Sequence, residues 1–119
     1  RLIGGAGGNE LTGGAGADDF VFLEPAAVTS VVLDFNSGED KLEVSASGFG
    51  GGLTAGSAPE VVNGEGVPAA TAATGQFLFD TTTSTLYWDA DGTDPLAPVA
   101  IAQISGVGAL SSDDFIVGV

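Results

Sequence analysis

The chain has 119 residues, enough for one domain with a modest core and too few for two. Sixteen acidic residues face two basic ones, and the formal charge of −14 argues against nucleic acid, an anionic polysaccharide or an anionic membrane surface as a partner. Cysteine and histidine are both absent, which excludes a disulfide framework and a histidine-based triad. No apolar run approaches membrane-spanning length.

From Gly4 onward, two nine-residue blocks follow each other without a gap: Gly4-Gly5-Ala6-Gly7-Gly8-Asn9-Glu10-Leu11-Thr12 and Gly13-Gly14-Ala15-Gly16-Ala17-Asp18-Asp19-Phe20-Val21. Both read G-G-x-G-x-[D/N]-x-U-x, with U a large apolar residue. Glycine at positions one, two and four lets the backbone take positive φ and turn sharply, with carbonyl oxygens inward. Position six adds a side-chain oxygen, and calcium takes six to eight oxygens of this kind. The x-U-x that follows predicts a short strand whose single inward residue, Leu11 or Phe20, enters the core. Arg1-Leu2-Ile3 fits the tail of an earlier block, so the chain reads as a piece of a longer protein. A phosphate-binding loop would end in Lys-Ser or Lys-Thr ahead of a helix, and neither is present.

Downstream of the blocks, Glu24 to Ser30 reads as a loop and Ser30 to Phe35 as a strand. Asn36 to Ser45 reads as a degenerate block, with Gly38 at position four, Asp40 at six and Leu42 at eight. With two blocks per turn, Asp18 and Asp40 are one turn plus a four-residue insertion apart. They are therefore expected on one side, with a cation between their loops. Asn9 lacks a carboxylate partner one turn on, so its site is expected to be weak or empty. Residues 46–75 are rich in Gly, Ala, Ser and Thr and read as loops, with a short strand or helical turn near Pro59-Glu60-Val61-Val62. From Gln76 the pattern turns to antiparallel β: Phe77 to Asp80, Thr85 to Asp89 and Val99 to Ile104, with Asp114 to Val117 as a last short strand.

These segments carry a family resemblance. The tandem blocks resemble the calcium-binding repeat of RTX (repeat-in-toxin) proteins. V-x-x-D-F-x-x-G-x-D-K-L (Val31 to Leu42), F-x-F-D (Phe77 to Asp80), T-L-Y-W-D-A-D-G-T (Thr85 to Thr93) and D-D-F-I-V (Asp113 to Val117) resemble the closing segment of many such proteins. Serralysin-type proteases, haemolysin-like proteins and the R-modules of alginate epimerases end in this way. The resemblance implies an all-β fold, a short parallel β-roll over 1–45 and a loop-rich stretch over 46–75. Antiparallel strands forming a sheet or sandwich, with the tail, then occupy 76–119. It also implies a secreted, extracellular bacterial protein with upstream domains. Its non-catalytic end would bind Ca2+, fold outside the cell and carry or support the signal read by a type I secretion ABC transporter complex. The alternative reading is a polysaccharide-binding accessory module.

The candidate metal residues are Asp18 with Gly13, Gly14 and Gly16, then Asp40 with Gly38, and Asn9. Asp34 either helps the same ion or caps a turn. Asp89 and Asp91, in Asp89-Ala90-Asp91-Gly92-Thr93-Asp94, suggest the first half of an EF-hand loop. The flanking helices and the distant glutamate are missing, and Asp and Gly are also ordinary hairpin-turn residues. Phe77, Phe79, Tyr87 and Trp88 read as sheet core in preference to a sugar-stacking platform. Asp113-Asp114 read as adjacent strand residues on opposite faces, not as a paired-carboxylate active site. No nucleophile and base stand out, and an enzyme is not expected.

Overall fold

The computed structural model describes residues 2–3, 10–22, 30–36, 39–50, 52–57, 59–66, 75–90, 98–105 and 107–118. The chain is mostly β. In order come β1 (Leu2–Ile3), β2 (Glu10–Leu11), β3 (Asp19–Phe22), β4 (Ser30–Val32), β5 (Lys41–Ser45), a one-turn helix α1 (Ala46–Phe49), β6 (Val61–Gly64), β7 (Gln76–Asp80), β8 (Thr85–Asp89) and β9 (Val99–Ile104). A 3-10 turn (Ser112–Asp114) then leads into β10 (Phe115–Gly118).

The first five strands alternate between two sheets. One sheet is β1-β3-β5-β10 and the other β2-β4-β9-β8-β7-β6. Pairing is parallel between β1 and β3, β3 and β5, and β2 and β4. Consecutive strands therefore cross from one sheet to the other, and the connection after β2 lies against the one after β4.

The later strands depart in part from the antiparallel expectation. The β7-β8 and β8-β9 pairs are antiparallel, as their hairpin-like spacing predicts. However, β9 lies parallel on β4, β6 lies parallel on β7, and β10 lies parallel on β5. Neither β9 nor β10 belongs to a separate antiparallel unit, since each extends a sheet begun near the N-terminus.

One apolar cluster draws on both sheets, and the period-2 alternation of strands explains its membership. Phe20, Leu42 and Phe115 face one another across β3, β5 and β10, as do Phe22, Val44 and Val117 one step on. From the other sheet come Val32, Phe77, Phe79, Leu86, Trp88 and Ile104, all buried. Phe77 stacks on Phe115 with ring centroids 4.7 Å apart, joining the last strand of one sheet to the core strand of the other. Trp88 meets Phe77 at 4.7 Å and Phe49 edge-on at 5.6 Å. Phe77, Phe79 and Trp88 are thus core, and only Tyr87 on the opposite face of β8 is half-exposed.

Two elements were not expected. Ser45 caps α1 by accepting from the Gly48 N–H at 3.2 Å, and Gly50 ends it with φ 69°. The helix drops Phe49 into the core within the stretch read as loop. Asp113 and Asp114 lie in the 3-10 turn and not on a strand. Asp114 is buried and accepts from its own Ser111 N–H at 2.9 Å, a capping arrangement that consumes the carboxylate locally.

Candidate metal centre

Two connections lie side by side, one between β2 and β3 (residues 12–18) and one between β4 and β5, described at residues 33–36 and 39–40. Two carboxylates organise them. Asp34 accepts the N–H of Gly13 at 2.8 Å and of Gly14 at 2.7 Å, one on each oxygen. Asp40 accepts the N–H of Asp18 at 2.9 Å on Oδ1 and that of Asn36 at 2.9 Å on Oδ2. The Lys41 N–H returns to the Asp18 carbonyl at 2.8 Å. The lower turn therefore grips the upper at both ends, and Asp18 and Asp40 sit together as their spacing predicts.

Asp34 acts on the backbone of the neighbouring turn. It holds the glycine turn, and the two amide N–H groups, Gly13 first and Gly14 second, draw its carboxyl below the ordinary 3.8. Asp40 is buried, and both of its oxygens are engaged by backbone donors.

Asp18 differs. Its carboxylate folds back over its own turn, so close that a Cβ placed on Gly13 would lie 2.5 Å from Oδ2 and 2.8 Å from Cγ. Oδ2 is buried and has no hydrogen-bond partner. Gly14 and Gly16 have φ of 81° and 88°, the left-handed region that favours glycine. The repeat's glycines thus serve two needs, backbone conformation at Gly14 and Gly16 and close approach of a carboxylate at Gly13.

A carboxylate oxygen shielded from water without a donor is costly unless a cation satisfies it. The donor set here is all oxygen and contains a full negative charge, which suits a hard divalent ion such as calcium. Among the described residues, no group of three or more acidic side chains converges on one point.

The other candidates are placed differently. Asn9, Gly38 and Asp91 lie outside the described residues. Asp89 is buried at the end of β8, opposite Gln76 in the β7-β8 ladder. Three features of this region were not anticipated from the sequence. One is the grip of Asp34 on Gly13 and Gly14, for which an aspartate just beyond a strand end was the available signal. Another is the reach of Lys41 Nζ to the Asp113 carbonyl. The third is a reciprocal pair in which Asn63 donates to the Leu110 carbonyl at 2.6 Å and accepts its N–H at 2.8 Å.

No protein-family model matches the chain, and no curated protein sequence matches it.

Proposed function

We propose that this chain is a calcium-binding, non-catalytic β-roll module of the RTX type, which folds on meeting calcium outside the cell. The observation that carries the reading is the buried, unpartnered Oδ2 of Asp18, folded over Gly13 in a turn gripped by Asp34 and Asp40. The alternation of short parallel strands between two sheets supports the roll.

Asp18 would hold the ion together with backbone carbonyls of the two stacked turns, while Asp40 and Asp34 set the spacing of those turns. The bound ion supplies positive charge to a chain with a net charge of −14, where self-repulsion opposes compaction. Extracellular modules bind calcium at roughly 10⁻⁴–10⁻³ M. At about ten times the dissociation constant, one site adds about 1.4 kcal/mol to folding. That increment tips a marginal domain. Low cytosolic calcium would keep the chain open for a type I transporter, and the tail would carry or support the export signal.

Isothermal titration with calcium, run on the wild type and on Asp18→Asn, tests the reading. Millimolar binding by the wild type, lost or weakened at least tenfold in the variant, is expected. Equal binding by both, or none by the wild type, would overturn it.

A further inference from the structure

The two neighbours of β5 are attached by different chemistry. On the β3 side, Asp19 stands opposite Lys41 and the preceding turn carries the unsatisfied Asp18 oxygen. On the β10 side, the register continues from Leu42 to Phe115, so the turn before Phe115 occupies the place that the glycine turn holds before Phe20. That turn is a 3-10 turn without an open glycine loop. Its buried Asp114 is already satisfied by Ser111. Lys41, the only lysine of the chain, sends its ammonium to the Asp113 carbonyl in this turn.

We propose that Lys41 is a tethered cation that docks the C-terminal strand, doing for the Asp113 carbonyl on this edge of β5 what a metal ion does for oxygens on the other. An ammonium presents a compact positive charge to a backbone carbonyl, as a bound ion does, and it needs no ligand from solution. Its stem starts at the first residue of β5, level with the turn it must reach. The same residue's backbone N–H bonds the Asp18 carbonyl, so Lys41 touches both neighbouring turns at once. Attachment of β10 would then be independent of calcium, whereas the upstream turns depend on it. This contrast rests on the calcium reading; the role at the tail does not.

Amide hydrogen exchange tests the proposal, with wild type, Lys41→Met and Lys41→Arg measured in the same calcium-containing buffer and calcium affinity titrated in parallel. Methionine keeps most of the stem and removes the charge. Lys41→Met should speed exchange at residues 115–118 about three- to fivefold, given a charged but exposed contact. Exchange across β8 should stay unchanged, calcium affinity should stay within about twofold, and Lys41→Arg should restore the tail. Unchanged tail exchange in Lys41→Met would overturn the proposal. So would uniform acceleration that includes β8, which would mean general destabilisation, or failure of arginine to restore the tail. A wild type that binds no calcium would sink the metal reading alone, because the tail comparison stands in any buffer.

Discussion

Replacing Gly13 with alanine adds one methyl group where the structure has none to spare. The new carbon would lie 2.5 Å from Oδ2, 2.8 Å from Cγ and 2.9 Å from Cβ of Asp18. Carbon and its neighbours are comfortable at about 3.5 Å or more, so the carboxylate must retreat by roughly 1 Å. Forced displacements of this kind cost about 1–3 kcal/mol. For a domain of this size, that lowers the melting temperature by roughly 4–15 °C. The carboxylate would also leave the position from which it faces the turn, so calcium affinity should fall with it. Gly16→Ala is the control, because nothing lies within 4 Å of its added carbon and its penalty comes from φ of 88° alone. The decisive assay is a double-mutant cycle of Gly13→Ala and Asp18→Gly, which removes all three clashing atoms, followed by thermal melting through the fluorescence of the single tryptophan, Trp88. If the clash is the mechanism, removing Asp18 relieves it and the two costs fail to add. Additive costs would refute the reasoning, since Gly13 would then matter for something other than Asp18.

Two further outcomes follow from the same geometry. Asp34 has its carboxyl pulled below the ordinary 3.8 by Gly13 and Gly14, so its contribution to stability is present above that value and is lost as pH falls through its lower folded value. Stability measured against pH should therefore decline on the acid side, and Asp34→Asn should flatten that decline; an unchanged acid limb would count against the turn-gripping role. Phe115→Ala removes a buried ring stacked on Phe77 and should cost about 3–5 kcal/mol by urea denaturation, so a loss below 1 kcal/mol would mean that the tail strand is only loosely seated.

The conformation and pairing of the two turns were partly legible in the sequence. Glycine spacing announces where a backbone must turn left-handed, and the spacing of Asp18 and Asp40 announces that their turns stack. The roles of Asp34 and Lys41 were not legible in the same way. Each depends on which turn ends up one strand away, and that is fixed by register. The direction of the tail strand was equally hidden. A run as short as Phe115-Ile116-Val117 fits either direction of pairing, and the choice falls to the sheet edge that remains open when it arrives. The helix at Ala46–Phe49 is a single turn, too short to show a helical period, and only the capping serine hinted at it.

The position of β10 also affects how the protein is made. Leu42 leaves the ribosome roughly 70 residues before Phe115, its partner in the ladder; at about 5–20 residues per second the interval is roughly 4–15 s. Throughout that interval one side of β5 has no strand to pair with, and exposed strand edges invite pairing with other nascent chains. The sequence Lys41-Leu42-Glu43-Val44-Ser45 interrupts its two apolar residues with charges of opposite sign, the kind of gatekeeping that discourages such pairing. The strand that waits longest for its partner is thus the one where the chain spends its only lysine.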